Sequence, residues 1–183
     1  DIAISQILIF LFSFIFCEVV NIRTSVGLNI FLYLLLSFFI LIRTLEDGKN
    51  LVFFVLLVVW LGDTAAYYVG RKFGQRPLAL SISPKKTVEG AVAGLLGSFS
   101  GGLIAKVWFF QEIPITHCLI AALICGMIGQ LGDLAESLLK RNARAKDSGK
   151  LIPGHGGILD RIDSLTAAAP FYLVVTSLMG IRI

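Results

Sequence analysis

Long apolar runs constrain this 183-residue chain more than any other feature of its sequence. Three of them read ISQILIFLFSFIFCEVV, VGLNIFLYLLLSFFILI and LVFFVLLVVWLG. Each approaches the roughly 20 residues that a helix needs to cross a bilayer. Charged residues make up only 15% of the chain, against about 25% in a typical soluble domain. The sequence therefore predicts an all-α, polytopic helical membrane protein.

We predict six membrane spans, with boundaries defined to about three residues. Their predicted ranges are residues 3–21, 26–43, 51–70, 88–110, 117–139 and 164–181. The chain begins with Asp1 rather than Met, and the first predicted span follows almost at once. We therefore expect the numbered sequence to lack an N-terminal part.

Basic residues are concentrated in two of the connections between these spans. Residues 71–87 hold five Lys or Arg and residues 140–163 hold six, which together are 11 of the 16 in the chain. Because basic loops stay in the cytoplasm, we expect both connections on that side and both chain ends outside. An outside N-terminus fits the loss of an odd number of earlier spans. The net charge of +4 thus reflects membrane orientation, and we predict no nucleic-acid partner.

Glycines distinguish spans four to six from the first three. The sequences GAVAGLLGSFSGG and GMIGQLGD place them near helical spacing. Small residues let helices approach closely in lipid, so we interpret these glycines as packing positions rather than as a phosphate cradle. The positions are Gly90, Gly94, Gly97, Gly126 and Gly129.

Carboxylates inside a membrane are costly and usually mark function. Asp63 and Asp133 each lie seven residues before the basic end of their span, which places them roughly 10 Å below the cytoplasmic surface. Glu89 stands where span four begins, and Asp160 and Asp163 stand where span six begins. Four segments are therefore expected to bring carboxylates to one layer in the inner leaflet.

Carboxylates beside many Lys and Arg side chains suit a divalent metal with bound phosphates. Mg²⁺ takes one or two carboxylates plus substrate phosphates, and the basic groups neutralise the remaining phosphate charge. Two alternatives stay open on these residues alone. One is a network of buried ion pairs that only fixes helix packing, and the second is an ion-coupled transporter. The cation-rich loops favour the phosphate substrate.

Two loops and one helical face add detail to this layer. In SISPKKTVEG, Thr87 is a candidate helix N-cap for span four, and the adjacent lysines suit either an anion or ordinary positive-inside anchoring.

In PGHGG, the glycines allow close backbone approach to a ligand. His155 could be a base, a metal ligand or a phosphate donor, and we favour hydrogen bonding. Asp133, Ser137 and Lys140 share one face of span five.

The string SLLKRNARAKDSGKLIPGHGGILDRID, residues 137–163, resembles the signature of the phosphatidate cytidylyltransferases, or CDP-diacylglycerol synthases. GDTAAYYVGRKFG at 62–74 and SPKKTVEG at 83–90 also resemble this family, in the right order. The resemblance covers about residues 51–183, which we predict to be the catalytic transmembrane domain. Residues 1–50 are predicted to form two generic transmembrane helices.

The resemblance implies an enzyme that joins phosphatidate from the inner leaflet with CTP, using Mg²⁺ and in some members K⁺ beside it. It implies Asp133 and Asp160 as metal ligands. The catalytic residues that we predict on this basis are Asp133, Asp160, Asp163, Lys140 and Arg141. The predicted substrate-binding residues are Asp63, Lys85, Lys86, Glu89, Ser137, Lys146, Asp147, His155, Gly156, Gly157 and Arg161.

We predict an integral protein of a bacterial cytoplasmic membrane, and the basic loops place its active site on the cytoplasmic side. The oligomeric state stays open, with a homodimer as one option. The nearest enzyme alternative is a CTP-dependent polyprenol or dolichol kinase, which would transfer the γ-phosphate. A CDP-alcohol phosphotransferase is disfavoured because its Asp-Gly-x-x-Ala-Arg stretch is missing.

Overall fold

The computed structural model describes residues 37–45, 47–142, 164–165, 167–170 and 172. Three long helices joined by a hairpin and a loop account for most of this part of the chain. Their bounds are α1 Gly48–Phe73, β1 Pro77–Ala79, β2 Ser83–Thr87, α2 Val88–Trp108 and α3 Ile115–Asn142. Residues 37–44 are helical, and so are the described residues between 164 and 172.

The three helices confirm the third, fourth and fifth predicted spans. Each is long and apolar enough to cross a membrane, and each boundary lies within three residues of its prediction. The first predicted span lies outside the described residues. The second and sixth are described only in part, and those parts are helical.

The prediction of an all-α chain is wrong for the basic connection 71–87, which contains a two-stranded antiparallel hairpin. Pro77 pairs with Thr87 and Ala79 pairs with Ser83. The strands are short, mostly exposed and rich in proline and lysine, so they lack the apolar alternation that identifies a strand from sequence. A lone hairpin is marginal in water, and this one is stabilised by the helix ends that it joins.

Local hydrogen bonds define where the helices end near the hairpin. The Gly74 N–H donates to the carbonyl of Gly70 at 3.1 Å and closes α1. The Thr87 hydroxyl accepts from the N–H of Gly90 at 3.2 Å, which confirms Thr87 as the N-cap of α2. The last turn of α1 carries Arg71 and Lys72, where positive charge is favourable beside the helix dipole.

Glycines bring the three helices together, as predicted. A Cβ added at Gly97 would lie 2.8 Å from Cβ of Ala65 in α1, and one at Gly94 would lie 3.1 Å from Cβ of Ala66. Ser98 of α2 packs against Gly126 of α3 and also against Gly62 of α1. Such close approach is the usual basis of helix packing in lipid.

The apolar core lies at the end of the helices away from the hairpin. Its largest buried side chains include Phe54, Val55 and Val58 of α1 and Cys125 of α3. The ring of Tyr172, in the predicted sixth span, stacks on Phe54 with centroids 5.1 Å apart. All buried residues of α1 lie at or before Gly62, so the second half of this helix is left to line a cleft.

Candidate active site

A cleft of about 960 Å³ opens at the hairpin end of the helices. Its walls are the second half of α1, the hairpin, the first turn of α2 and the C-terminal half of α3, together with Ser164. The volume is within the range of about 300–1,000 Å³ that is usual for small-molecule sites. Polar side chains line the cleft from α1, the hairpin, α3 and Ser164, whereas α2 contributes only Gly90 and Ala91.

An ion pair joins the hairpin to α3 across this cleft. Nζ of Lys86 lies 2.6 Å from Oδ2 of Asp133, and the two side chains are 27% and 33% exposed. Lys86 comes from the basic connection and Asp133 from within a predicted span. The structure thus brings together a cation and an acid that the sequence placed in the same layer.

Asp63 of α1 belongs to the same group of charges. Its carboxylate accepts a hydrogen bond from the side chain of Ser164, and the charges of Asp133 and Lys86 both act on it. Ser164 stands at the start of the predicted sixth span. Four segments therefore meet at this point, and two of them supply carboxylates.

The chemistry of these donors fits a hard divalent cation. Carboxylate and hydroxyl oxygens are the ligands that Mg²⁺ prefers, and the ammonium of Lys86 shows that positive charge is accommodated beside Asp133. Among the described residues no group of three or more His, Cys, Asp or Glu could hold a metal. Asp160, which was predicted to share the metal with Asp133, lies outside the described residues.

The other predicted site residues divide between the cleft wall and its supports. Lys85 lines the cleft. The carboxylate of Glu89 instead accepts the backbone N–H groups of Gln75 and Arg76 at 3.1 and 3.2 Å, so it holds the connection that leads into β1. Nε of Arg141 donates to the carbonyl of Ile82 at 3.1 Å and ties the hairpin to α3.

Ser137 is half-buried on α3, one turn beyond Asp133. The remaining predicted residues were expected to complete the site from the long signature string. They lie outside the described residues, as does the side chain of Lys140. These residues are Lys146, Asp147, His155, Gly156, Gly157, Asp160, Arg161 and Asp163.

On α1 and α3, three polar lining residues were not predicted as site residues. Tyr67 and Arg71 follow Asp63 at intervals of four along α1, and all three line the cleft. Gln130 lies three residues before Asp133 and donates from Nε2 to the carbonyl of Ala91 at 3.1 Å. Helical spacing from the two predicted acids would have identified all three, because residues three or four apart share a face.

The sequence of this chain matches a family model and is similar to bacterial proteins of one name. A model of the cytidylyltransferase family matches residues 2–179. A phosphatidate cytidylyltransferase of Staphylococcus saprophyticus is 46% identical over 138 residues, which cover 75% of this chain and 53% of that protein. The enzyme of the same name from Bacillus subtilis is 40% identical over 152 residues, covering 82% and 56%.

A third bacterium contributes a similar match. The phosphatidate cytidylyltransferase of Haemophilus influenzae is 44% identical over 129 residues, which cover 68% of this chain and 45% of that protein. The chain thus spans about half the length of the curated relatives that it matches.

Proposed function

This chain belongs to the cytidylyltransferase family, and from that premise we propose that it transfers CMP from CTP to phosphatidate, giving CDP-diacylglycerol and pyrophosphate. The observation that carries the proposal is the convergence of Asp63, Asp133 and Lys86 in one cleft. Paired carboxylates beside lysines suit a reaction between two phosphate compounds. The relatives' shared name supplies the choice of substrates.

The proposed reaction is a direct displacement at phosphorus. A phosphate oxygen of phosphatidate attacks the α-phosphorus of CTP with its electron pair, and a new P–O–P bond forms. The bond from the α-phosphorus to the bridging oxygen of the β-phosphate breaks, and pyrophosphate leaves with that electron pair. Such transfers need little covalent participation by protein, so positioning and charge neutralisation carry the catalysis.

The basic residues are assigned to the phosphates. Lys85 and Lys86 line the cleft from β2, and an ammonium there neutralises phosphate charge without a fixed geometry. Arg141 both supports the hairpin and lies one residue from Lys140 in the same signature. We assign Lys140, Arg141 and Lys146 to phosphate binding and leave Ser137 as a hydrogen-bond partner.

Asp133 and Asp160 are proposed to hold Mg²⁺, with Asp163 close by and K⁺ as a neighbouring ion in the site. When bound, Mg²⁺ supplies charge neutralisation at the phosphate oxygens. Asp133 is suited to this role because its carboxylate already accommodates a cation, the ammonium of Lys86. In this proposal, the hydrogen bond between Asp63 of α1 and Ser164 of the predicted sixth span orients the carboxylates of the cleft.

We place the cleft at the cytoplasmic face of an integral membrane protein. The basic connection 71–87 forms the hairpin at this end, and basic loops stay in the cytoplasm. Phosphatidate would then enter from the inner leaflet and CTP from the cytoplasm. This arrangement gives each substrate an approach from the phase in which it dissolves.

Labelled CTP tests the reaction. The full-length protein, as expressed from its gene, is incubated with phosphatidate, Mg²⁺ and CTP carrying ³²P at either the α- or the γ-phosphate. We expect the α-label in the lipid product and the γ-label in pyrophosphate, with both signals lost after chelation by EDTA. The γ-label in lipid would instead identify a kinase. Cation flux in proteoliposomes without lipid labelling would identify a transporter.

A further inference from the structure

One wall of the cleft carries a cation that has no role in the reaction as proposed so far. Arg71 lies in the last turn of α1, and its Nη1 donates to the hydroxyl of Tyr67 at 3.0 Å. Both residues line the cleft. The tyrosine is one helical turn before the arginine, so the hydrogen bond fixes the direction of the guanidinium along the helix face.

Arg71 differs from Lys86 in the way its charge is balanced. Lys86 has Asp133 as a partner at 2.6 Å, whereas Arg71 has no carboxylate partner among the described residues. The hydroxyl of Tyr67 orients the guanidinium but does not neutralise it. An oriented guanidinium in a cleft wall is suited to a phosphate, whose oxygens match its planar fork of donors.

The depth of Arg71 indicates which phosphate it meets. It lies two residues before the end of α1 at Phe73, beside the exposed rings of Tyr67 and Tyr68. Exposed aromatic rings at the end of a span are typical of the membrane interface, at the level of the lipid headgroups. The hairpin also contributes one apolar side chain to the cleft lining, Leu78 of β1, which is 38% exposed.

We propose that Arg71 binds the phosphate of the glycerolipid substrate, and that Tyr67 positions its guanidinium. This inference rests on the proposed function and adds which side of the cleft receives the lipid. The guanidinium of Arg71 and the ring of Tyr67, together with Leu78 of β1, match a phosphate that is attached to an acylated glycerol. Lys85 and Lys86, on the hairpin wall, then face the phosphates of the nucleotide.

The test measures the effect of each substitution on the KM for phosphatidate and on the KM for CTP separately. In mixed detergent micelles, the KM for phosphatidate is measured as a mole fraction at saturating CTP, and the KM for CTP is measured at saturating phosphatidate. We expect Arg71→Ala to raise the KM for phosphatidate about 10-fold or more, since a hydrogen bond to a charged group is lost. Arg71→Lys and Tyr67→Phe should each give a smaller rise, with the KM for CTP unchanged.

Lys72→Ala is the matched control. Lys72 is the adjacent cation in the same turn, its Nζ lies 5.2 Å from the ring centroid of Phe73, and it does not line the cleft. Both KM values should stay at the wild-type level in this variant. A rise only in the KM for CTP would assign Arg71 to the nucleotide. No change in either value would show that Arg71 is not a phosphate ligand.

Binding without turnover keeps this inference separate from the proposed reaction. Calorimetric titration of the detergent-solubilised wild type, Tyr67→Phe and Arg71→Lys proteins with dioctanoyl phosphatidate measures affinity directly. We expect both variants to bind more weakly than wild type, even if the wild type were to form no CDP-diacylglycerol. Equal affinity in all three proteins would overturn the assignment, whatever the enzyme assay gives.

Discussion

Asp133 is the residue through which the hairpin, α3 and the second acid of the site are connected. Its carboxylate contacts Lys86 at 2.6 Å and acts electrostatically on Asp63. Two nearby carboxylates repel one another unless a cation lies beside them. Lys86 provides that cation from the hairpin, which explains how the fold tolerates two neighbouring acids among apolar helices.

Asp133→Asn tests the role of this carboxylate at the level of one residue. Asparagine keeps the shape of the side chain but removes the charge that a metal and Lys86 both require. We expect kcat for CDP-diacylglycerol formation to fall by at least about 100-fold. The thermal midpoint in detergent is measured alongside. The variant should remain folded at the assay temperature, so that unfolding does not account for the loss of activity.

Asp47→Asn is the matched control for that substitution. Asp47 lies before the first residue of α1, at the opposite end of the helices, with φ of 59°. Asparagine is tolerated in this left-handed region, so activity should remain at the wild-type level. Wild-type turnover by Asp133→Asn would contradict the proposed role of Asp133.

At the scale of elements, two helices hold the hairpin over the cleft. Glu89 at the start of α2 binds the backbone of the segment that enters β1, and Arg141 near the end of α3 binds the carbonyl of Ile82. The contacts between helices depend on small residues on α2. These helix contacts and the hydrogen bonds to the hairpin together hold Lys85 and Lys86 in the cleft wall.

Gly97→Ala should weaken that approach. The added methyl group would meet the carbonyl oxygen of Leu61 at 2.5 Å and Cβ of Ala65 at 2.8 Å. Because these neighbours are backbone and a short side chain, α1 must move, and overpacking of this kind costs roughly 1–3 kcal/mol. The measurement is the thermal midpoint in detergent.

Gly129→Ala provides the comparison for Gly97→Ala. A Cβ at Gly129 would have its nearest neighbour, the carbonyl oxygen of Ser164, at 3.4 Å, which is an ordinary contact. This variant should lose much less stability than Gly97→Ala. Equal thermal midpoints for the two variants would show that the packing of α2 on α1 is not limited by Gly97.

At the scale of the whole molecule, charge differs between the two ends of the helices. The hairpin end carries most of the basic residues of the described part, including Arg71, Lys85 and Lys86. At the other end, Lys106 donates from Nζ to the carbonyls of Gln111 and Ile113 at 2.5 and 2.8 Å. That lysine caps the end of α2, so its charge has a local structural use.

Cysteine labelling tests the proposed orientation. Cys17, Cys118 and Cys125 are first replaced by serine, and then Leu80→Cys or Glu112→Cys is introduced. Leu80 is 69% exposed at the hairpin turn, and Glu112 is exposed in the connection from α2 to α3. A membrane-impermeant maleimide should label Leu80→Cys only in inside-out vesicles and Glu112→Cys only in intact cells. The reverse pattern would place the cleft outside.

Several features could be predicted from the sequence because they depend on local or one-dimensional patterns. Apolar length fixed the three described spans, and the Thr87 cap followed from its position before an apolar run. The hairpin could not be predicted, since its strands are short and polar and are stabilised by distant groups such as Arg141. Glu89 was predicted as a site residue from its depth and from the SPKKTVEG resemblance, neither of which indicates its backbone partners in the connection to β1.

The sequence by itself determined that the chain is helical and membrane-embedded, and it placed Asp63 and Asp133 at one depth. Hydropathy and the rise of a helix are sufficient for that. Only the tertiary structure decided that Lys86 is the partner of Asp133 and that Tyr67 and Arg71 share their cleft. The physical reason is that depth gives one coordinate, whereas an ion pair or a cleft also requires the rotation and the separation of the helices, which packing sets.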